Sequence, residues 1–186
     1  MARIRLLLLD FDGTLVDTRR ANARAYVATL AEQGIRITEE EYLARWFGMR
    51  CNEFLTEMGI DAPAERERLR LRKIALYPSF FDSLRLNEPL WAFCRAFRAQ
   101  GGRVWIVSTG SRANIDNVLR HLGLEEAFDG ILAGLDVERP KPAPDAFLEA
   151  MRREGCTPEE TLVFEDSAVG TAAAAASGAA WIKVEL

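Results

Sequence analysis

Short apolar runs recur along the chain, each closed by a turn residue or by charged residues. The first, Ile4-Arg-Leu-Leu-Leu-Leu, ends at Asp10 and a glycine turn. A run this short and this apolar is typical of a strand buried on both faces of a parallel sheet. Four later runs predict further strands, the one at Gly130 being the weakest: Val104-Trp-Ile-Val, Gly130-Ile-Leu-Ala, Thr161-Leu-Val-Phe and Ala180-Trp-Ile-Lys-Val.

Helical patterns lie between these strands, over roughly 88–100, 112–122, 144–154 and 168–177. Strands that alternate with helices predict an α/β fold, a doubly wound parallel sheet with a Rossmann-like core. The alanines of the last helix predict close packing on the sheet.

Residues 17–83 interrupt this alternation because they contain no strand-like run. Apolar residues at helical spacing extend from Ala21 to Glu32. Thr38-Glu-Glu-Glu then predicts an N-cap with a capping-box glutamate, and a charged stretch over 65–73 continues the helical pattern. We therefore predict a core domain of residues 1–16 and 84–186 with an inserted helical domain over 17–83.

Composition narrows the function classes. The chain has 186 residues, 49% of them apolar, and a net charge of -4, which gives no reason to expect nucleic acid or an anionic membrane as a partner. No apolar run approaches the roughly 20 residues of a membrane span, and the four leucines after Met1-Ala-Arg-Ile-Arg are too few for a signal peptide. A cytoplasmic location is expected by default. A monomer is compatible with the sequence, which does not indicate the oligomeric state.

Cysteine and histidine usage excludes several kinds of site. Cys51, Cys94 and Cys156 are odd in number and widely separated, which argues against a disulfide framework or a zinc site. The single histidine, His121, precedes Gly123 at the predicted end of a helix, where a structural role is common. We therefore expect chemistry based on carboxylates.

Carboxylates follow the first predicted strand. Asp10 stands at the carboxyl end of this strand, where open α/β sheets bind ligands, and Asp12 follows after one residue. Two carboxylates this close repel each other unless a cation or a proton lies between them. Asp12 with Gly13 also fits an ordinary turn, so this pair alone does not decide the function.

Three other strand ends carry polar groups. Ser108-Thr109-Gly110 offers hydroxyl groups and backbone N–H groups suited to a phosphate. Lys141 stands between two prolines that restrict the backbone, although a solvated loop lysine is the alternative. Glu165 and Asp166 end a further strand, where one acidic residue could instead cap the next helix.

Together these residues predict a phosphoryl-transfer site at four strand ends. A hard divalent cation prefers oxygen ligands, which suits Asp10 with Asp166. A phosphoryl group would then have the cation on one side and Lys141 with Ser108 on the other.

This arrangement resembles the haloacid dehalogenase superfamily, in its phosphatase branch, over nearly the whole chain. Four motifs stand in the family's order: Asp10-Phe-Asp-Gly-Thr, Ser108, Lys141 and Glu165-Asp166. The resemblance implies that the inserted segment is a four-helix cap and that Mg²⁺ is the cofactor. It implies Asp10 as the nucleophile that becomes a phosphoaspartate and Asp12 as the general acid and base. Further implied roles are phosphate binding by Ser108, Thr109, Gly110 and Lys141, and metal binding by Asp10, Asp12, Asp166 and Glu165, the last directly or through water.

The motifs are most similar to those of sugar-phosphate phosphatases and β-phosphoglucomutases. Phe47-Gly-Met-Arg50 matches a substrate-contacting loop of that subgroup. Asn87-Glu-Pro89 departs from the Pro-Gly that often stands there, and the first cap helix lacks the histidine usual in the mutases. The resemblance therefore implies hydrolysis of a small phosphorylated metabolite such as a sugar phosphate. A phosphomutase and a non-catalytic binding protein remain as alternatives.

Specificity is expected to reside in the inserted domain. Arg19, Arg50 and Lys73 are the candidate contacts there for an anion or a sugar. Each of the three also fits an ordinary surface charge.

Overall fold

The computed structural model describes residues 3–186 and contains a five-stranded parallel sheet in the order β5-β4-β1-β6-β7. A separate two-stranded sheet pairs β2 with β3. The strands, in chain order, are β1 (Leu6–Leu9), β2 (Val16–Asp17), β3 (Arg85–Leu86), β4 (Arg103–Val107), β5 (Gly130–Leu132), β6 (Thr161–Glu165) and β7 (Ala180–Lys183). The predicted fold class is confirmed.

Eight α-helices accompany these strands in the described part of the chain. They are α1 (Arg19–Ala31), α2 (Glu39–Arg45), α3 (Cys51–Glu57), α4 (Pro63–Leu76), α5 (Glu88–Ala99), α6 (Arg112–Leu122), α7 (Asp145–Glu154) and α8 (Ala168–Ala176). Two 3₁₀ segments, Tyr77–Ser83 and Pro158–Glu160, follow α4 and α7. None of the helices within residues 3–186 combines the length and apolar character that crossing a bilayer requires.

Helices cover the central strands of the sheet on both faces, while the residues of the edge strand β7 are exposed. All four leucines of β1 are fully buried at its centre. Side chains alternate between faces along a strand, so Leu6 and Leu8 share one face, where they join a cluster with Phe147 of α7 and the alanines of α8. On the other face, Phe164 of β6 contacts a ring of α5. The alanines therefore allow close packing of α8, as predicted.

The chain divides into two compact units. One contains the chain up to Asp17 and from Leu86 to Leu186, and the other is Thr18–Arg85. We call them the core unit and the helical unit. The helical unit has its own apolar cluster, in which the rings of Tyr26, Tyr42 and Phe54 contact one another.

Local capping explains where several helices begin. Thr38 forms the predicted capping box with Glu41 at the start of α2. Helix α1 begins at Arg19, two residues before the predicted Ala21. The pattern missed these two residues because they are polar and do not continue the apolar spacing.

The cysteines are free, with Cys94 buried and the other two partly buried.

Candidate active site

Four neighbouring strands of the core unit end at one edge of the sheet. Asp10 follows β1, Ser108 follows β4, and Glu165 is the last residue of β6. The loop after β5 carries Lys141. Because β1 lies between β4 and β6, the chain order reverses at this point, which is where open α/β sheets bind ligands.

Lys141 connects three of these strand ends. Its ammonium donates to Asp10 Oδ1 at 2.7 Å, to Glu165 Oε1 at 2.6 Å and to the carbonyl oxygen of Val107 at 2.9 Å. The Lys141 side chain is only 3% exposed. It is therefore held at a defined place, more by these three partners than by the flanking prolines, and it is not a solvated loop lysine.

Burial and ion pairing have opposite effects on the pKa values of Asp10 and Lys141. Burial raises the pKa of Asp10 well above its usual value, although the nearby Lys141 charge opposes that rise. Burial alone would lower the pKa of Lys141, but the charges of Asp10 and Glu165 more than offset it and raise the pKa. Lys141 therefore remains an ammonium ion and neutralises only part of the surrounding negative charge.

Asp12 lies beside the turn that follows β4. A side chain at Gly110 would place its Cβ 3.1 Å from both Asp12 Oδ2 and Ser108 Oγ, so glycine permits this close approach. Ser108 is buried, and its hydroxyl accepts a hydrogen bond from the Gly110 N–H at 2.9 Å. The structure thus brings Asp12, Ser108 and Gly110 together. Thr109 lies within the same turn.

Asp166 lies against the turn after β1. Gly13 has a φ of +96°, and a Cβ there would come within 2.4 Å of Asp166 Oδ2, so any other residue would displace this carboxylate. The hydroxyl of Thr14 donates to Asp166 Oδ1 at 3.1 Å. Ser167, not Asp166, caps α8, since its hydroxyl accepts the Gly170 N–H. The alternative that one of the two acidic residues caps this helix is therefore wrong.

Glu165 is almost fully buried, and both of its carboxylate oxygens are engaged. Oε1 accepts from Lys141, and Oε2 accepts from the N–H and the hydroxyl of Ser167, each at 3.0 Å. In this arrangement Glu165 orients Lys141.

The acidic residues at this edge suit a divalent cation. Carboxylate oxygens of Asp10, Glu165 and Asp166 lie within 4.8 Å of one another. The pKa of Asp166 is raised by burial and by the charge of Glu165. A cation between these carboxylates would relieve their repulsion, and an all-oxygen set is the kind that Mg²⁺ and Ca²⁺ prefer. The donor set therefore fits a hard metal ion.

The three candidate substrate contacts all lie in the helical unit. Arg19 begins α1 and Arg50 immediately precedes α3, and both side chains are partly exposed. Lys73 differs, since it is 2% exposed and donates to Asn22 Oδ1 at 2.6 Å. Its ammonium also lies 3.9 Å from the ring centroid of Tyr77. Lys73 is thus not the surface charge that its sequence context also allowed.

Sequence reasoning did not assign a role to Thr14 or Ser167. Both orient acidic residues of the site; Thr14 is the last residue of the first motif, and Ser167 directly follows the last motif. Their position in or next to a motif was the signal available in the sequence. The partner of Thr14 lies 152 residues away along the chain, so the contact itself could not be read from the sequence.

Comparison with known proteins gives the family. The family model of haloacid dehalogenase-like hydrolases matches residues 4–178. The chain is 32% identical to the fructose-1-phosphate phosphatase YqaB of Escherichia coli over 187 residues, covering 97% of this chain and 96% of that protein. It is 29% identical to the 6-phosphogluconate phosphatase of the same organism, covering 91% and 77%.

A solved structure agrees in fold. The crystal structure of CbbY from Rhodobacter sphaeroides in complex with phosphate superposes with a TM-score of 0.89 at 26% identity, covering 98% of this chain and 87% of that one. The predicted enzyme class, a phosphoric monoester hydrolase, is confirmed by the family and by these phosphatases. The carboxylates and the lysine gathered at the strand ends thus belong to a member of the haloacid dehalogenase-like hydrolase family.

Proposed function

We propose that this enzyme hydrolyses a sugar phosphate in a Mg²⁺-dependent reaction through a phosphoaspartate on Asp10. The observation that best supports this proposal is the ion-paired cluster in which Lys141 contacts both Asp10 and Glu165, next to Asp166. In this cluster Asp10, the proposed nucleophile, lies beside a fixed ammonium ion and further acidic residues at one edge of the sheet.

In the first half of the proposed reaction, a carboxylate oxygen of Asp10 attacks phosphorus. The bond from phosphorus to the ester oxygen breaks, and Asp12 protonates the departing oxygen to give an alcohol. Lys141 favours the ionised form of Asp10 before the attack, which matters because burial raises the pKa of Asp10. Ser108 and the turn through Thr109 and Gly110 would bind the phosphoryl oxygens.

In the second half, water attacks phosphorus in the acyl phosphate. Asp12, now a carboxylate, accepts a proton from this water, and the bond from phosphorus to the Asp10 oxygen breaks. Inorganic phosphate leaves and Asp10 is restored. One group can perform both proton transfers because the first transfer leaves it in the state that the second requires.

Asp10, Asp166 and the main-chain carbonyl of Asp12 are the residues that would hold Mg²⁺. When bound, the ion supplies positive charge that stabilises the negative charge on the phosphoryl oxygens. Glu165 would act less directly, through water, because its two oxygens already accept hydrogen bonds from Lys141 and Ser167.

The proposed substrate class, sugar phosphates, is supported by the names of the two curated relatives, which hydrolyse fructose 1-phosphate and 6-phosphogluconate. The helical unit, proposed as the cap domain, would select among such substrates. Arg19 and Arg50 are the proposed contacts there. Lys73 would act mainly through the side chains that it orders, because its ammonium is bound to Asn22.

A panel of phosphorylated sugars with Mg²⁺ tests this proposal by the release of inorganic phosphate. We expect release from at least one aldose or ketose phosphate. Isomerised product without release would favour a phosphomutase, and no reaction of any panel member would contradict the proposal.

A further inference from the structure

Thr14 lies at the base of the candidate metal site and is completely buried. Its hydroxyl donates to Asp166 Oδ1, while Gly13 lies against the other oxygen of the same carboxylate. The two residues together restrict Asp166 from both sides. This matters because a carboxylate that rotates freely must lose that freedom when it binds a cation.

The backbone of Thr14 is itself anchored. Asn87 donates its side-chain amide to the carbonyl oxygen of Thr14 at 3.1 Å, and its backbone N–H donates to the carbonyl of Leu15 at 2.8 Å. Asn87 also caps α5, since its Oδ1 accepts the N–H of Leu90. The start of a core helix is therefore joined to Thr14, and Thr14 to Asp166. We call these three residues the Asn87–Thr14–Asp166 relay.

We propose that Thr14, held by Asn87, is a positioning residue that sets the orientation of Asp166 for divalent-cation binding. The inference rests on the proposed function, since it takes Asp166 as a metal ligand. Residues that orient metal ligands through hydrogen bonds commonly change metal affinity by about 10–100-fold when they are removed. A merely structural hydroxyl would change stability and leave metal affinity as it is.

The test is calorimetric titration of the substrate-free protein with Mn²⁺ as a Mg²⁺ substitute. Thr14→Val keeps the shape of the side chain and removes the hydroxyl, so we expect its Kd for Mn²⁺ to rise by about 10-fold or more. Thr14→Ser is the matched control. It keeps the hydroxyl, so we expect an affinity close to that of the wild type.

Thermal unfolding in chelator checks that each variant is folded. Asn87→Ser tests the relay without altering Thr14, because the serine hydroxyl can still cap α5 but the shorter side chain has no second polar atom in place of the amide nitrogen that donates to the Thr14 carbonyl. We expect weaker Mn²⁺ binding in this variant as well. If Thr14→Val does not fold, the Mn²⁺ affinity of Asn87→Ser tests the proposal in its place.

The outcomes separate the two proposals. If the wild type bound no Mn²⁺ or Mg²⁺, the proposed function would fail. If the wild type bound the metal and a folded Thr14→Val variant bound it equally well, the positioning role would be overturned while the proposed function stood. Wild-type affinity in a folded Asn87→Ser variant would overturn the proposal that Thr14, held by Asn87, orients Asp166 for metal binding.

Discussion

At the scale of single residues, Asp10 shares Lys141 with Glu165. The replacement Asp10→Asn should abolish turnover, because an amide is a poor nucleophile and cannot form the acyl phosphate. The variant should still fold, since Glu165 and the Val107 carbonyl continue to accept hydrogen bonds from Lys141.

Phosphate release and the circular-dichroism melting curve of Asp10→Asn, each compared with the wild type, check both parts of this expectation. Turnover near the wild-type rate would remove Asp10 from its assigned role.

The replacement Asp12→Asn should remove the proposed proton transfer, because an amide does not exchange a proton as a carboxyl group does. The main-chain carbonyl is unchanged, so we expect the rate on an alkyl phosphate to fall by about 10²–10⁴-fold, the usual value of general acid–base catalysis. p-Nitrophenolate needs little protonation as it leaves. With p-nitrophenyl phosphate, the rate of the first half-reaction should therefore fall less than with an alkyl phosphate. We expect a burst of p-nitrophenolate release followed by slow turnover.

Single-turnover kinetics with the two kinds of leaving group measure this difference. Equal impairment with both would argue that Asp12 is not the acid.

How far the sequence predicts the site differs from residue to residue. The apolar composition of three strands already predicts them, and each is followed by one of the residues Asp10, Lys141 and Asp166. That these residues meet at one edge of the sheet could therefore be expected before the structure. The hydrogen bonds of Thr14 and Asn87 could not be expected from the sequence. They depend on which distant segment of the chain lies beside each side chain, and the local sequence pattern does not contain that information.

Among the secondary-structure elements of the core unit, α5, β4 and β5 are connected by Asp129 at the amino ends of the strands. It directly precedes β5, and its carboxylate accepts from Arg98 of α5 and from Arg103 and the Val104 N–H of β4. Burial would raise the pKa of Asp129, but these hydrogen bonds more than offset it, so the pKa is lowered. The charged form therefore stabilises the folded state.

Asp129→Asn should destabilise the protein at pH 7 by about 1.5–3 kcal/mol, the usual value of hydrogen bonds to a charged group. A lowered pKa means that this stabilisation is present above the unfolded-state pKa of about 3.9 and is lost as the pH falls through the folded-state value. The difference from the wild type should accordingly shrink in acid.

Urea unfolding of both proteins at pH 7 and at successively lower pH measures the difference. Turnover should stay near wild type, because Asp129 lies at the strand ends opposite to Asp10. A stability difference that did not change with pH would exclude the charge as its cause.

Helices and buried strands were predictable as elements because their patterns extend over several residues. The two-residue strands β2 and β3 were not predicted, since two residues display no periodicity. Their pairing depends on where the chain leaves and re-enters the core unit, which is a property of the tertiary fold.

For the protein as a whole, the residues proposed to bind the metal are polar and belong to neither of the two apolar clusters described within residues 3–186. Removal of divalent cations by a chelator should therefore abolish turnover and leave the protein folded. Activity and the melting temperature, measured on the same chelated sample before and after Mg²⁺ is restored, test this expectation. Full activity in excess chelator would contradict the metal assignment, and unfolding would indicate a structural metal instead.

The hydrogen bond between the Asn87 N–H and the Leu15 carbonyl has a consequence for how such an enzyme can diversify. The chain leaves the core unit after Asp17 and re-enters it at Leu86, so this hydrogen bond, two residues before and one residue after these points, joins the chain on either side of the inserted segment. Insertions, deletions or wholesale exchange between these anchor points need not alter the register of any strand in the five-stranded sheet. If the helical unit selects the substrate, as proposed, natural variation or a laboratory graft between these points would change which molecules the enzyme accepts and leave the residues at the strand ends unchanged.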